Sequence, residues 1–143
     1  MTLPVAQPIE QKTKQRRPRV SLWFLRAALV LHAGLVCAQP ILAGYFLSGE
    51  ADAMNVHGPI GSSLWMVSMI QFVIAVLYWR PGGGRFWPAV VALVLLFAEF
   101  VQLTYGYLQN FAVHVPLGTA IVITVVMMTV WSFRSSARQE IKQ

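Results

Sequence analysis

The stretch "VHVPLGTAIVITVVMMTVWSF", residues 113–133, decides the fold. It contains no Lys, Arg, Asp or Glu. A bilayer core takes about 20 mainly apolar residues per helical crossing. Three other stretches match it, at 21–47, 59–79 and 86–108. The expectation is therefore an all-α integral membrane four-helix bundle spanning residues 20–134. The composition agrees: 57% of the 143 residues are hydrophobic and 11% are charged. Soluble domains carry about a quarter charged residues. The spans leave no room within this sequence for a soluble domain. Residues 1–19 read as a disordered basic tail and 135–143 as a second tail.

Charge placement orients the bundle. Lys12, Lys14, Arg16, Arg17, Arg19 and Arg26 lead the first span. Arg80 and Arg85 flank the second connection, and Arg134, Arg138 and Lys142 follow the last span. The other two connections carry no Lys or Arg, and the first of them holds Glu50 and Asp52. The positive-inside rule puts both termini and the 80–85 turn in the cytoplasm, so the expected location is the cytoplasmic (inner) membrane, N-in and C-in. The basic tail suits anionic lipid; without interleaved aromatics it is no nucleic-acid surface. "RRPRVSLWFLRAALVLHAGLVCAQ" carries a Val-x-Ala resembling a signal-peptidase site, but the apolar run continues past it through "PILAGYFL". Uncleaved, it is the first membrane span. The single Cys37 permits no disulfide or cysteine cluster within one chain.

Two phrases share one frame. "HGPIG" begins at His57 and "HVPLG" at His114, and only one other histidine, His32, is present. Gly44-Tyr45 and Gly106-Tyr107 precede them, with Gln39 and Gln102 a little earlier. The chain therefore reads as two pseudo-repeated helical hairpins, related by an axis along the membrane normal. Both histidines then fall at one depth on parallel helices, on the outer side. Each frame also has a structural explanation: Pro suits a first helical turn, Gly suits close helix packing, and His suits the interface.

Two facing histidines are too few for a lone zinc, which wants about four ligands. They suffice for haem, whose porphyrin supplies the other four. With no Cys-x-x-Cys-His, such a haem would be non-covalent and b-type. Bis-histidine ligation closes the iron and favours electron transfer. "FVQLTYGYLQNFAVHVPLG", residues 100–118, resembles a segment of the haem A synthase family. There a Gln and a Gly-rich helix end lead into a His that opens the next helix. That family is built of two four-helix halves, each with a histidine pair on its second and fourth helices. The resemblance covers one half, nearly all of this chain after residue 20. It implies a haem b between His57 and His114. The family's Glu-x-x-His-Arg is missing: Met54 stands three before His57, Gly58 follows it, and Phe111 stands three before His114. The chain also resembles small bacterial four-helix membrane proteins of uncharacterised function.

Polar residues inside the spans add detail. Glu99 lies about 13 Å from the outer end of its span, and an intramembrane carboxylate faces the interior. Gln102 shares its face, and Gln39 and Trp65 are expected at similar depth as one polar layer. Glu99 is expected either to be protonated and bonded to Gln39, or to accept protons beside a redox or quinone site. His32 counts about 10 Å further in, too deep for a direct pair with Glu99, and is expected as a packed neutral side chain with a proton-path role as the alternative. Pro40 should bend the first span.

The function expected is a small membrane b-type cytochrome, a non-enzymatic electron carrier serving a redox partner. The alternatives are a haem-free accessory or scaffold protein, monomeric or homo-oligomeric, and a small transporter handling metal or substrate through Glu99 and the histidines. No nucleophile–base set or phosphate loop points to a hydrolase or transferase.

Overall fold

A computed structural model describes residues 20–138. Four helices make up almost all of it: α1 (Val20–Leu47), α2 (Met54–Trp79), α3 (Trp87–Tyr107) and α4 (Phe111–Phe133). Short 3-10 turns at Ala51–Ala53 and Ser135–Ala137 lead into α2 and follow α4. All four helices are long and apolar enough to cross a membrane. The tail at 1–19 and residues 139–143 lie outside the described residues.

Each helix packs against its two neighbours in chain order, and α4 closes the ring against α1. That leaves α1 diagonal to α3 and α2 diagonal to α4. The buried positions explain the packing. On α1 they are Leu22, Leu25, Leu29, His32 and Val36, with Arg26 beside them; on α3, Pro88, Ala92, Leu95 and Glu99, with Ala89 beside them. On α2 they are Leu64, Ser68, Gln71, Ala75 and Tyr78; on α4, Ile121, Val125, Met128 and Ser132. Steps of three and four residues alternate throughout, so each helix turns one narrow stripe inward, as in a bundle seam. The opposite faces carry exposed Phe24, Leu31, Phe97, Phe100 and Met127. Apolar outside with polar groups on the inner stripe is the distribution that lipid demands.

Two helix starts differ from expectation. α2 begins at Met54 and α4 at Phe111, so His57 and His114 each occupy the fourth helical position rather than the first. Pro59 and Pro116 are then sixth, inside their helices. A proline there removes a hydrogen bond to the carbonyl four residues back, so pre-organisation of the first turn does not explain these prolines. Pro40 lies within α1, as expected.

The end of the bundle near Arg26 is tightly closed. Arg26 is 3% exposed, although its sequence position groups it with the basic lead. Its Nε–H donates to the Ser132 carbonyl at 2.9 Å, in the last turn of α4. That carbonyl belongs to the group a helix cannot pair internally, and a cation is favoured beside it. The guanidinium also lies 4.7 Å from the centre of the Trp23 ring and 4.8 Å from that of Phe133. Nearby, the Tyr78 hydroxyl donates to the Ala137 carbonyl at 2.9 Å, which pins the turn after α4. Gly84 passes so close to the Tyr78 ring that a side chain there would collide with it. Trp87 and Trp131 meet edge to face at 4.4 Å.

Replacing Arg26 by Ala strands the Ser132 carbonyl and removes both ring contacts. A loss of about 2 kcal/mol is expected, the range for a hydrogen bond to a charged group. Denaturant unfolding of the detergent-solubilised protein measures it; an unchanged midpoint would refute the clamp.

Candidate functional site

At the other end the inward stripe changes character. Continuing in steps of three and four residues, α1 and α3 place Gln39 and Gln102 on the stripe, while α2 and α4 place His57, Gly61, His114 and Gly118 there. All six are half-buried, although they face the bundle axis. At the opposite end α2 and α4 carry buried Ala75, Tyr78, Met128 and Ser132 on the same stripes.

His57 and His114 project from diagonal helices and meet across the axis. Their ring centres lie 6.4 Å apart, with the planes inclined at 58°. Each ring is held from behind. His57 Nδ1 lies 3.2 Å from the Gln39 carbonyl oxygen, and His114 Nδ1 lies 2.9 Å from that of Gln102. A carbonyl can only accept, so both Nδ1 atoms carry the proton and each neutral ring keeps its lone pair on Nε2. An Nδ1–H fixed by a backbone carbonyl is the usual support for an imidazole that ligates through Nε2.

The glutamines and glycines complete the two environments. A Cβ on Gly61 would lie 3.2 Å from Gln39 Oε1, and one on Gly118 would lie 2.6 Å from Gln102 Nε2. A Cβ on Gly106 would lie 2.9 Å from His114 Cε1. The glycines thus let side chains from the next helix settle against bare backbone. Gln102 Nε2 lies 3.4 Å from His114 Nε2 and donates weakly to its lone pair. Gln39 Nε2 and Gln102 Oε1 are buried without a partner. Trp65 sits one position off the stripe, its indole edge-on to Phe100 at 6.3 Å, and so stands outside the polar layer expected of it.

Deeper in the bundle lies a second polar group. His32 and Gln71 are completely buried and Glu99 is 2% exposed. His32 Nδ1–H donates to Gln71 Oε1 at 2.8 Å. His32 Nε2 and Glu99 Oε1 are 3.2 Å apart and share one proton. The pair is neutral overall wherever that proton resides, and this makes a carboxyl group tolerable at such depth.

The direct His32–Glu99 contact overturns the expected separation of about 10 Å. That figure came from counting inward from the helix ends, but α1 runs 28 residues and α3 only 21. Gln39 and Gln102, each under one of the facing histidines, are the proper level marks. His32 precedes Gln39 by seven residues and Glu99 precedes Gln102 by three. The true offset is four residues, about 6 Å, which two side chains span. The expected bond from Glu99 to Gln39 does not form, because His32 occupies the carboxyl group. Gln71 was missed, although it lies on the stripe that begins at His57 and could have been found by its spacing.

Among the described residues no group of three or more His, Cys, Asp or Glu side chains converges in a way that could hold a metal ion. No family model, curated protein or solved structure matches the chain.

Breaking the buried pair should be costly. Glu99→Ala and His32→Ala are each expected to destabilise by about 3 kcal/mol, since each leaves a buried polar partner behind. The double variant should lose clearly less than the sum, as contacting residues do. Unfolding titrations of the three variants decide this, and strict additivity would show that the contact carries no energy.

Proposed function

We propose that this protein is a small membrane b-type cytochrome that holds one haem between His57 and His114 and passes single electrons to a redox partner. The carrying observation is the opposed pair of rings with both Nδ1 protons committed to backbone carbonyls. Metal–imidazole bonds are about 2 Å long, and rings whose centres are 6.4 Å apart are near enough for one metal ion to be held between them. Gly61 and Gly118 add no side chain of their own below the rings, where the Gln39 and Gln102 side chains lie. Among the described residues no third His, Cys, Asp or Glu joins the pair, and a porphyrin brings four nitrogens of its own.

His57 and His114 would hold the iron through Nε2, with Gln102 swinging its amide away from His114. Gln39 and Gln102 would hold the rings' orientation through their carbonyls. The haem would supply a one-electron couple; ligation on both faces leaves no open position for oxygen chemistry. The same Gln, His and Gly set occurs in each hairpin, and this supports descent of the two hairpins from one repeated unit. It also supports kinship of scaffold with one half of the haem A synthase family. Without the Glu-x-x-His-Arg element, electron transfer rather than oxidation of haem is the activity proposed. The basic residues flanking α1, α2 and α4 favour a cytoplasmic-membrane protein with both termini inside, so that the histidine end faces outward.

Protein purified after haem-replete expression should show a sharp Soret band of low-spin bis-histidine haem. His57→Ala and His114→Ala should each abolish it while the protein still inserts in the membrane. Gly106→Ala, which crowds the His114 ring, should retain less haem than the wild type. Colourless wild-type protein sinks the proposal and leaves the haem-free scaffold.

A further inference from the structure

We infer that His32, Gln71 and Glu99 form an exchangeable one-proton site, reached from the histidine end, that balances the charge of the redox centre proposed above. This rests on the cytochrome assignment for the charge it balances, but not for the site itself.

The trio is built to hold two protonation states. With one proton shared between His32 and Glu99, Nδ1–H donates to Gln71 Oε1, as observed. Remove that proton and a neutral His32 donates through Nε2–H to the Glu99 carboxylate. Its Nδ1 then needs a donor, and the Gln71 amide, turned over, supplies one. Gln71 Nε2 has no partner in the state described, so turning the amide over exchanges one hydrogen bond to His32 for another without loss. An amide both donates and accepts, and so can serve both states from one position. A leucine there would serve neither.

The surroundings favour access from one side. Toward the histidine end, Glu99 lies one helical turn from Gln102, whose Oε1 is buried and unpartnered, as is Gln39 Nε2 across the axis. The stripe there is half-buried, and such unpaired groups ordinarily bind water. One buried layer, Val36, Leu64 and Ile121, lies between the trio and that half-buried end. Toward the arginine end the stripe stays buried much further, through Leu25, Leu29, Ala92 and Val125 to Arg26 and Tyr78, although Ser21 Oγ and Arg26 Nη2 are unpartnered there. Ser68 Oγ, buried and unpartnered, lies on the α2 stripe one step from Gln71 toward the histidine end. Other ionisable groups on the inward stripes are few among the described residues: Arg26 beside the α1 stripe and Tyr78 on α2 at one end, His57 and His114 at the other. α3 adds only Glu99, and α4 adds nothing at the level of the trio.

With a ferric haem held by His57 and His114, the deprotonated trio would offset its single positive charge. On uptake of one electron from a one-electron reductant, His32 and Glu99 would take one proton from water. Electron and proton would then enter together, and the low-dielectric interior would carry no net charge before or after. Loss of the electron would release the proton again.

Redox titration of the haem-loaded protein tests this. The wild-type midpoint should fall as pH rises, approaching about 59 mV per pH unit for one proton per electron. Glu99→Gln should flatten the dependence with the Soret band unchanged, and His32→Asn should weaken it. A wild-type midpoint that stays flat between about pH 5 and pH 8, or a slope that survives in Glu99→Gln, overturns the inference. Infrared difference spectra of the protein in vesicles over the same range give an arm independent of haem. A carboxyl C=O band that responds to pH and vanishes in Glu99→Gln is expected. If the protein is colourless, the cytochrome assignment fails and this band alone decides the proton site; its absence overturns that too.

Discussion

The contact between His32 and Glu99 organises the rest of the bundle. A carboxyl group in hydrocarbon must be neutral or paired, and here its partner sits on the diagonally opposite helix. Neighbouring helices can slide by a turn and still bury apolar side chains. A hydrogen bond across the diagonal forbids that slip, because Glu99 one turn away would face Leu95 or Gln102 positions and leave His32 unpaired. Gln71 adds a third helix to the same point. Three of four helices are thereby locked in register by one buried group. Lipid offers little hydrophobic drive for helix association, so interhelical polar contacts matter more to registry than they would in water.

That register has consequences at both ends. It sets Gln39 and Gln102 at one level, and each then offers a backbone carbonyl to a histidine on the following helix. It also sets Arg26 against the last turn of α4. Both ends keep unpaired buried polar atoms, Ser21 Oγ and Arg26 Nη2 at one and Gln39 Nε2 and Gln102 Oε1 at the other. They differ in what lines the inward stripe: buried side chains near Arg26, half-buried glycines and histidines with glutamine side chains against them at the other end. Unpaired buried amides forfeit hydrogen bonds.

Most of the architecture was legible in the sequence because span length and charge exclusion are coarse signals. The spans expected at 21–47 and 86–108 match α1 and α3 to within a residue. α2 and α4 open at Met54 and Phe111, earlier than the 59 and 113 that the Pro and His positions suggest. α2 runs through Asn55, whereas α4 starts directly after Asn110. Residue-level depth was less legible. A single-chain count has no common origin for two helices of unequal length, so His32 was set too deep to meet Glu99. Gln71 and the inward turn of Arg26 lie on the three-and-four stripe, which becomes visible only when all buried positions are read together. A polar residue in such a stripe carries no label of its own until its partner is known.

The glycine–histidine layer remains the feature that packing alone explains least. Bundles in lipid use glycine to bring helix backbones together, and Gly61 and Gly118 do receive glutamine side chains. Close backbone approach would be served equally well by alanine or serine, and would not call for imidazoles on the same stripe. Nor does interfacial placement explain the rings, since an interfacial histidine turns its polar tip to water. Here the two rings meet across the bundle axis with their centres 6.4 Å apart, and each Nδ1 is held by a backbone carbonyl. The Gln102 amide meets His114 Nε2 only weakly, at 3.4 Å, so a ligand taken by that nitrogen would displace little from it.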